Sequence, residues 1–68
     1  MKEGVINLVA EVRQKRGLTQ EALAEQVGVT RQTIIALERG NYAPSVTLAL
    51  RLSKTLHKKV EELFELGV

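Results

Sequence analysis

Residues 17–40 read Gly17-Leu18-Thr19-Gln20-Glu21-Ala22-Leu23-Ala24-Glu25-Gln26-Val27-Gly28-Val29-Thr30-Arg31-Gln32-Thr33-Ile34-Ile35-Ala36-Leu37-Glu38-Arg39-Gly40, and the fold is decided in this run. Two short helical segments stand in it back to back. Thr19 can cap the first, with Glu21 in the first turn, where the helix dipole favours an anion. Leu23, Ala24 and Val27 line one helical face, and Gly28 closes the segment. Thr30 can cap the second, whose core pair is Ile34 and Leu37 and whose end is Gly40. Val29 lies in the turn and is placed to plug the core. That turn is about three residues long with a glycine hinge, which sets consecutive helices at roughly 90–120°. Ala24 is small, as a close crossing of two helices requires.

Helical spacing continues on both sides. Upstream, Val5, Leu8, Val9 and Val12 recur at i, i+3, i+4 and i+7, which predicts a first helix over about 5–16. Arg13, Lys15 and Arg16 crowd its last turn, and Gly17 is its stop. Downstream, Asn41-Tyr42-Ala43-Pro44 reads as a loop and Ser45 as the cap of a fourth helix with the inward stripe Leu48, Ala49, Leu52 and Leu56. Lys58 and Lys59 break the apolar pattern. Val60, Leu63, Phe64 and Leu66 then make a short fifth helix, or a helix running into a short extended C-terminal end. No segment alternates with period two for long enough to read as a strand. The expectation is an all-α fold: a compact five-helix bundle forming a single domain over 1–68.

Composition narrows what such a bundle does. The chain has 68 residues and no cysteine, so neither a disulfide nor a thiolate metal site holds it together. One His and no Cys exclude a zinc site, and no other metal or cofactor is expected. The longest apolar run is Ile34–Leu37, far short of the ~18 residues of a membrane span. No signal peptide is visible, because Lys2 and Glu3 precede no apolar h-region. Tyr42 and Phe64 are the only aromatics, which argues against stacking platforms for single strands. With no Cys, no Asp and a single His, no nucleophile–base pair can be assembled, so an enzyme is not expected. Net charge is +2, unevenly spread: residues 60–68 hold Glu61, Glu62 and Glu65 and no base, a charge of −3, which leaves +5 on the rest. A basic body with an acidic tail is compatible with a polyanion partner.

The paired segments of 19–39 have the geometry of a helix-turn-helix. The face of the second helix away from Ile34 and Leu37 carries Thr30, Arg31, Gln32, Thr33, Ala36 and Arg39. Arg can donate two bonds to guanine, Gln can bond adenine, and Thr can bond a base or touch a thymine methyl. Arg31 and Gln32 stand in the first turn, the part of a groove-binding helix that enters deepest. No acid occurs over 26–37, as contact with a polyanion requires.

At these residues the chain resembles the Cro/phage-repressor, or XRE-like, helix-turn-helix family. The resemblance rests on Arg13, on Gly17-Leu18-Thr19-Gln20-Glu21-Ala22-Leu23-Ala24, on Val27-Gly28-Val29-Thr30-Arg31-Gln32-Thr33-Ile34, on Leu37-Glu38-Arg39-Gly40 and on Pro44-Ser45, and it covers residues 8–64. It implies a lambda-repressor-like DNA-binding domain. Gln20 then resembles the glutamine that bonds a DNA phosphate. Arg31, Gln32 and Ala36 match positions facing base edges, and Thr30 and Thr33 match positions near the backbone or outer bases. We place Thr33 with the base contacts and Thr30 and Arg39 with the backbone. Asn41, Tyr42, Ser45 and Thr47 match a loop and helix start that touch phosphates. Arg13 and Glu38 match a partly buried salt bridge with no DNA role. The sequence departs from the family pattern at Ile35, usually polar, at Ala36, often a long polar residue, and at Ser53, His57 and Lys59.

For Lys15, Arg16, Lys54, Lys58 and Lys59 a solvated face is the simpler account, and for His57 a helix C-cap. Phe64, Leu66 and Val68 either close the core or form a dimer surface. The function expected is a sequence-specific, double-stranded DNA-binding transcriptional regulator. It would be a cytoplasmic, prokaryotic repressor acting as a homodimer on a palindromic operator. The competing reading is an antitoxin-like or other protein-interaction module that binds a protein partner through Ile35 and the apolar C-terminal residues.

Overall fold

Three side-chain caps begin the three longest helices of the computed structural model, which describes residues 5–40 and 43–67. The Thr19 hydroxyl accepts from the Ala22 amide at 3.0 Å and starts α2, Gln20–Val27. The Thr30 hydroxyl accepts from the Thr33 amide at 3.2 Å and starts α3, Arg31–Glu38. The Ser45 hydroxyl accepts from the Leu48 amide at 3.1 Å and starts α4, Val46–Leu56. Each occupies an amide that the helix cannot satisfy from within.

The connections follow the same local logic. After α2, Gly28 adopts φ +76°, the Val29 amide donates to the Ala24 carbonyl at 3.0 Å, and Val29 packs half-buried against the core. This is a Schellman turn with its hydrophobic contact, and only glycine takes that φ without strain. After α4, His57 stands in the same left-handed conformation at φ 56° without being glycine. Ser53 steadies that turn: its carbonyl accepts from the Lys58 amide and its hydroxyl donates to the Lys58 carbonyl.

The first helix differs from expectation. α1 is Val9–Lys15, and Val5–Asn7 upstream of it form a strand, β1. β1 pairs antiparallel with β2, Phe64–Leu66, in the register Val5↔Leu66, Ile6↔Glu65 and Asn7↔Phe64. Val5 and Ile6 are β-branched and suit an extended backbone. The Leu8 amide donates to the Leu63 carbonyl at 2.8 Å, so the helix cannot extend backwards through it. The fold is therefore helical with one two-stranded ribbon added. α5, Val60–Leu63, runs directly into β2, so the helix does lead into an extended segment. No Ser or Thr caps α5; the Glu62 carboxylate instead reaches back to the Lys59 amide at 2.8 Å.

The core gathers one stripe from each helix. Val9, Leu23, Ile34, Leu37, Leu52, Leu56 and Leu63 are fully buried, with Ala24 and Val27 beside them. Val12, Leu18, Val29 and Phe64 pack around this cluster. Burying a Leu or Ile side chain is worth about 1.5–3 kcal/mol. α3 is thus anchored through Ile34 and Leu37, and its opposite face is left outside.

Candidate nucleic-acid interface

The exposed side of α3 begins at its cap. The hydroxyls of Thr30 and Thr33 lie 3.1 Å apart, so the two threonines form one hydrogen-bonded unit at the helix start. Arg31 and Gln32 follow and are exposed. Among the described residues, no hydrogen bond or ion pair engages either side chain. Thr33, Ile35 and Ala36 are half-buried, and Arg39 is exposed beyond the last turn. The structure thus places five of the polar positions singled out in the sequence along one side of α3 or at its ends. Ile35 sits at the margin between solvent and core.

The other end of α3 is bound tightly. Glu38 receives Arg13 Nε at 2.7 Å and Arg13 Nη2 at 3.2 Å, with both side chains nearly buried. Arg13 Nη1 donates to the Leu18 carbonyl at 2.8 Å, which ties the same cluster to the α1–α2 loop. Gln20 Nε2 donates to Glu38 Oε1 at 3.0 Å. One carboxylate therefore holds together α1, the start of α2 and the end of α3. A charge this buried is tolerable only because it is paired and hydrogen-bonded. The Gln20 amide is consequently held in one orientation, half-buried at the first position of α2.

Gln20 and Arg31 line a common shallow hollow with Arg13, Thr19, Glu21 and Glu25. The two glutamates were not foreseen there: the acid-free run of 26–37 ignores what α2 brings alongside it. They bring negative charge to the hollow that Arg31 lines, so the surface is less uniformly basic than the chain order suggests. Ser45 and Thr47 are exposed at the N-terminal end of α4. Asn41 and Tyr42 lie outside the described residues, as does Val68. Phe64 is half-buried against the core, whereas Leu66 is 66% exposed.

Two further residues hold this region and carried no signal in the sequence. Arg51 Nη1 donates to the Val27 carbonyl at 3.3 Å and lies 3.2 Å from where a side chain on Gly28 would begin. It clamps the last turn of α2 to α4, and no spacing in the sequence marks it out. Asn7 Nδ2 donates to the Leu37 carbonyl at 2.8 Å. That contact joins residues thirty apart and has no local signature. Among the described residues, no helix is long and apolar enough to cross a membrane.

Comparison with known proteins supplies the context. A family model described as helix-turn-helix matches residues 9–63. An uncharacterized HTH-type transcriptional regulator of Methanothermobacter thermautotrophicus is 57% identical over 58 residues, covering 84% of each chain. Among solved structures, the restriction-modification controller protein C.AhdI from Aeromonas hydrophila superposes with a TM-score of 0.74 at 33% identity, over 79% of this chain and 82% of that one. The P22 c2 repressor protein, solved in complex with synthetic operator 9T, gives a TM-score of 0.75 at 32% identity over 78% and 80%.

Proposed function

This chain belongs to the Cro/phage-repressor (XRE-like) helix-turn-helix family and is a transcriptional regulator that binds double-stranded DNA, not an enzyme, and on that footing we propose that it is a repressor acting as a homodimer on a palindromic operator. In this reading residues 1–68 form one cytoplasmic DNA-binding domain. Arg31 and Gln32 read base edges in the major groove, with Thr33 and Ala36 contributing further contacts. Gln20, Thr30, Arg39, Asn41, Tyr42, Ser45 and Thr47 position the domain on phosphates. Arg13 and Glu38 serve the scaffold alone.

The observation that carries the reading is the contrast at Arg31 and Gln32. They are long, polar, exposed and unengaged, on a helix whose other face is sealed into the core. Bidentate bonding to guanine and adenine needs side chains of this kind on a rigid support. The homodimer is supported by economy: one such helix meets few bases, and two related by a two-fold axis read half-sites about 34–36 Å apart. Leu66, exposed at the end of β2, and Phe64 beside it are the residues assigned to that contact, with Val68. The solved neighbour described as the P22 c2 repressor protein supports a role in turning genes off.

Selection from a random duplex pool at physiological salt tests the proposal. An enriched palindrome with half-sites one helical turn apart is the expected result. Uniform recovery that vanishes with added salt would mean phosphate attraction alone and would overturn it in favour of a protein-binding module.

A further inference from the structure

The last turn of α3 is held from a distance by Asn7. Its Nδ2 donates to the Leu37 carbonyl at 2.8 Å, and its Oδ1 accepts, more weakly, from the Val9 amide at 3.4 Å. Asn7 also belongs to β1, where it pairs with Phe64. One short carboxamide therefore touches the terminal ribbon, the first turn of α1 and the last turn of α3. We propose that Asn7 is a positioning residue for DNA reading: its bond to the Leu37 carbonyl sets the tilt of α3 and so the placement of Arg31 and Gln32. This inference rests on the assignment of α3 as the helix that enters the groove.

The physical case has three parts. Ile34 and Leu37 hold α3 to the core by apolar contact, which is not directional and leaves tilt soft. Directional bonds must then fix the angle. Among the described residues, the inter-element bonds at the end of α3 are those of Glu38 and of the Leu37 carbonyl. Next, leverage is severe. α3 has eight residues and is about 12 Å long, so a tilt of about 5° at one end moves the other by about 1 Å. Base-edge hydrogen bonds weaken beyond about 3.2 Å, so a shift of this size matters to Arg31 and Gln32. Finally, the residue type fits this use. Asn7 is half-buried in a ribbon otherwise begun by Val5 and Ile6. A polar group there is costly unless bonded. Asparagine offers a donor and an acceptor at one short reach, and both are employed.

The Leu37 carbonyl is one of the last four of α3 and has no helical partner of its own. It also accepts from the Gly40 amide at 2.9 Å. Removing Asn7 therefore leaves that carbonyl satisfied by the turn. The angle of α3 then rests on the Glu38 bonds alone, and the helix stays folded. That separates a positioning role from a purely structural one.

The test compares the wild-type protein with Asn7→Ala and Asn7→Asp. Asn7→Ala removes the bond, whereas aspartate keeps the size and the acceptor towards Val9 but turns a carboxylate oxygen on the Leu37 carbonyl and so pushes the two apart. Affinities are measured for the selected operator and for a scrambled duplex of equal length, well below each variant's melting midpoint. The ratio of the two affinities is the readout, because phosphate attraction and the added charge of Asn7→Asp largely cancel in it. That ratio should fall about three- to tenfold in Asn7→Ala, the worth of one such hydrogen bond, and at least as far in Asn7→Asp. An unchanged ratio in folded Asn7→Asp would overturn the proposal. So would a loss of equal size on both duplexes. If the wild-type protein itself preferred no operator, the assignment of α3 would fall, and this inference with it.

Discussion

The two ends of α3 lie about 10 Å apart along one helix and are treated in opposite ways. At the first turn, Arg31 and Gln32 extend into solvent with no partner among the described residues. At the last turn, Glu38 is nearly buried under Arg13 and Gln20, and the Leu37 carbonyl is taken by Asn7 and Gly40. On the proposed function, Arg31 and Gln32 are left to bond a base, and the other end is immobilised. On that same reading, the difference is what lets a domain this small read accurately. The side chains that touch the target need freedom to desolvate and align. Their backbone needs none, and the structure spends its buried polar bonds on fixing it.

The contrast can be broken from its rigid end. Glu38→Ala leaves the Arg13 guanidinium nearly buried without its carboxylate. Losing one partner of such a pair costs about 3–5 kcal/mol, a large part of what a domain of this size has. Urea denaturation should show a markedly lowered midpoint, or a chain unfolded in buffer. Breaking it from the free end has the reverse signature. Arg31→Ala should weaken operator binding by about 1–3 kcal/mol and relax preference at one base pair. Its melting midpoint should hardly move, since the side chain supports nothing in the fold. A stability loss as large as that of Glu38→Ala would erase the distinction between the two ends.

Smaller effects sharpen it. Thr30→Ala removes the cap of α3 and the hydroxyl that Thr33 meets, and should cost about 1 kcal/mol by thermal denaturation. Because it frays the turn that carries Arg31, operator affinity should fall with it. His57→Gly is the mildest. It relieves a left-handed backbone on a side chain that dislikes it, remote in the chain from both ends of α3. A gain of about 0.5–1 kcal/mol in stability is expected, with operator affinity unchanged.

Much of this was legible along the chain, wherever the determining contact is local. Thr19, Thr30 and Ser45 cap helices through amides three residues on, and the turn at Gly28 needs nothing beyond its neighbours. The apolar stripes are likewise read from spacing alone. The ribbon was not legible. Three-residue strands are too short to show a period, and Val5 meets Leu66 only after the whole chain has folded back. The apolar spacing of Val5 with Leu8 and Val9 imitated a helix start instead. Ser53 and Arg51 were hidden for a related reason, since a polar residue on a helix looks solvated until its partner is known.

The sequence by itself determined the helix count, the paired helices of 20–38 and which face of α3 stays outside, because caps, glycine turns and apolar periodicity act over a few residues. Only the tertiary structure decided that Glu21 and Glu25 line the same hollow as Arg31, that Glu38 orients Gln20, and that Asn7 bonds the end of α3. Those are meetings between elements distant along the chain. They depend on how helices settle over a shared core, and no spacing within one element encodes that arrangement.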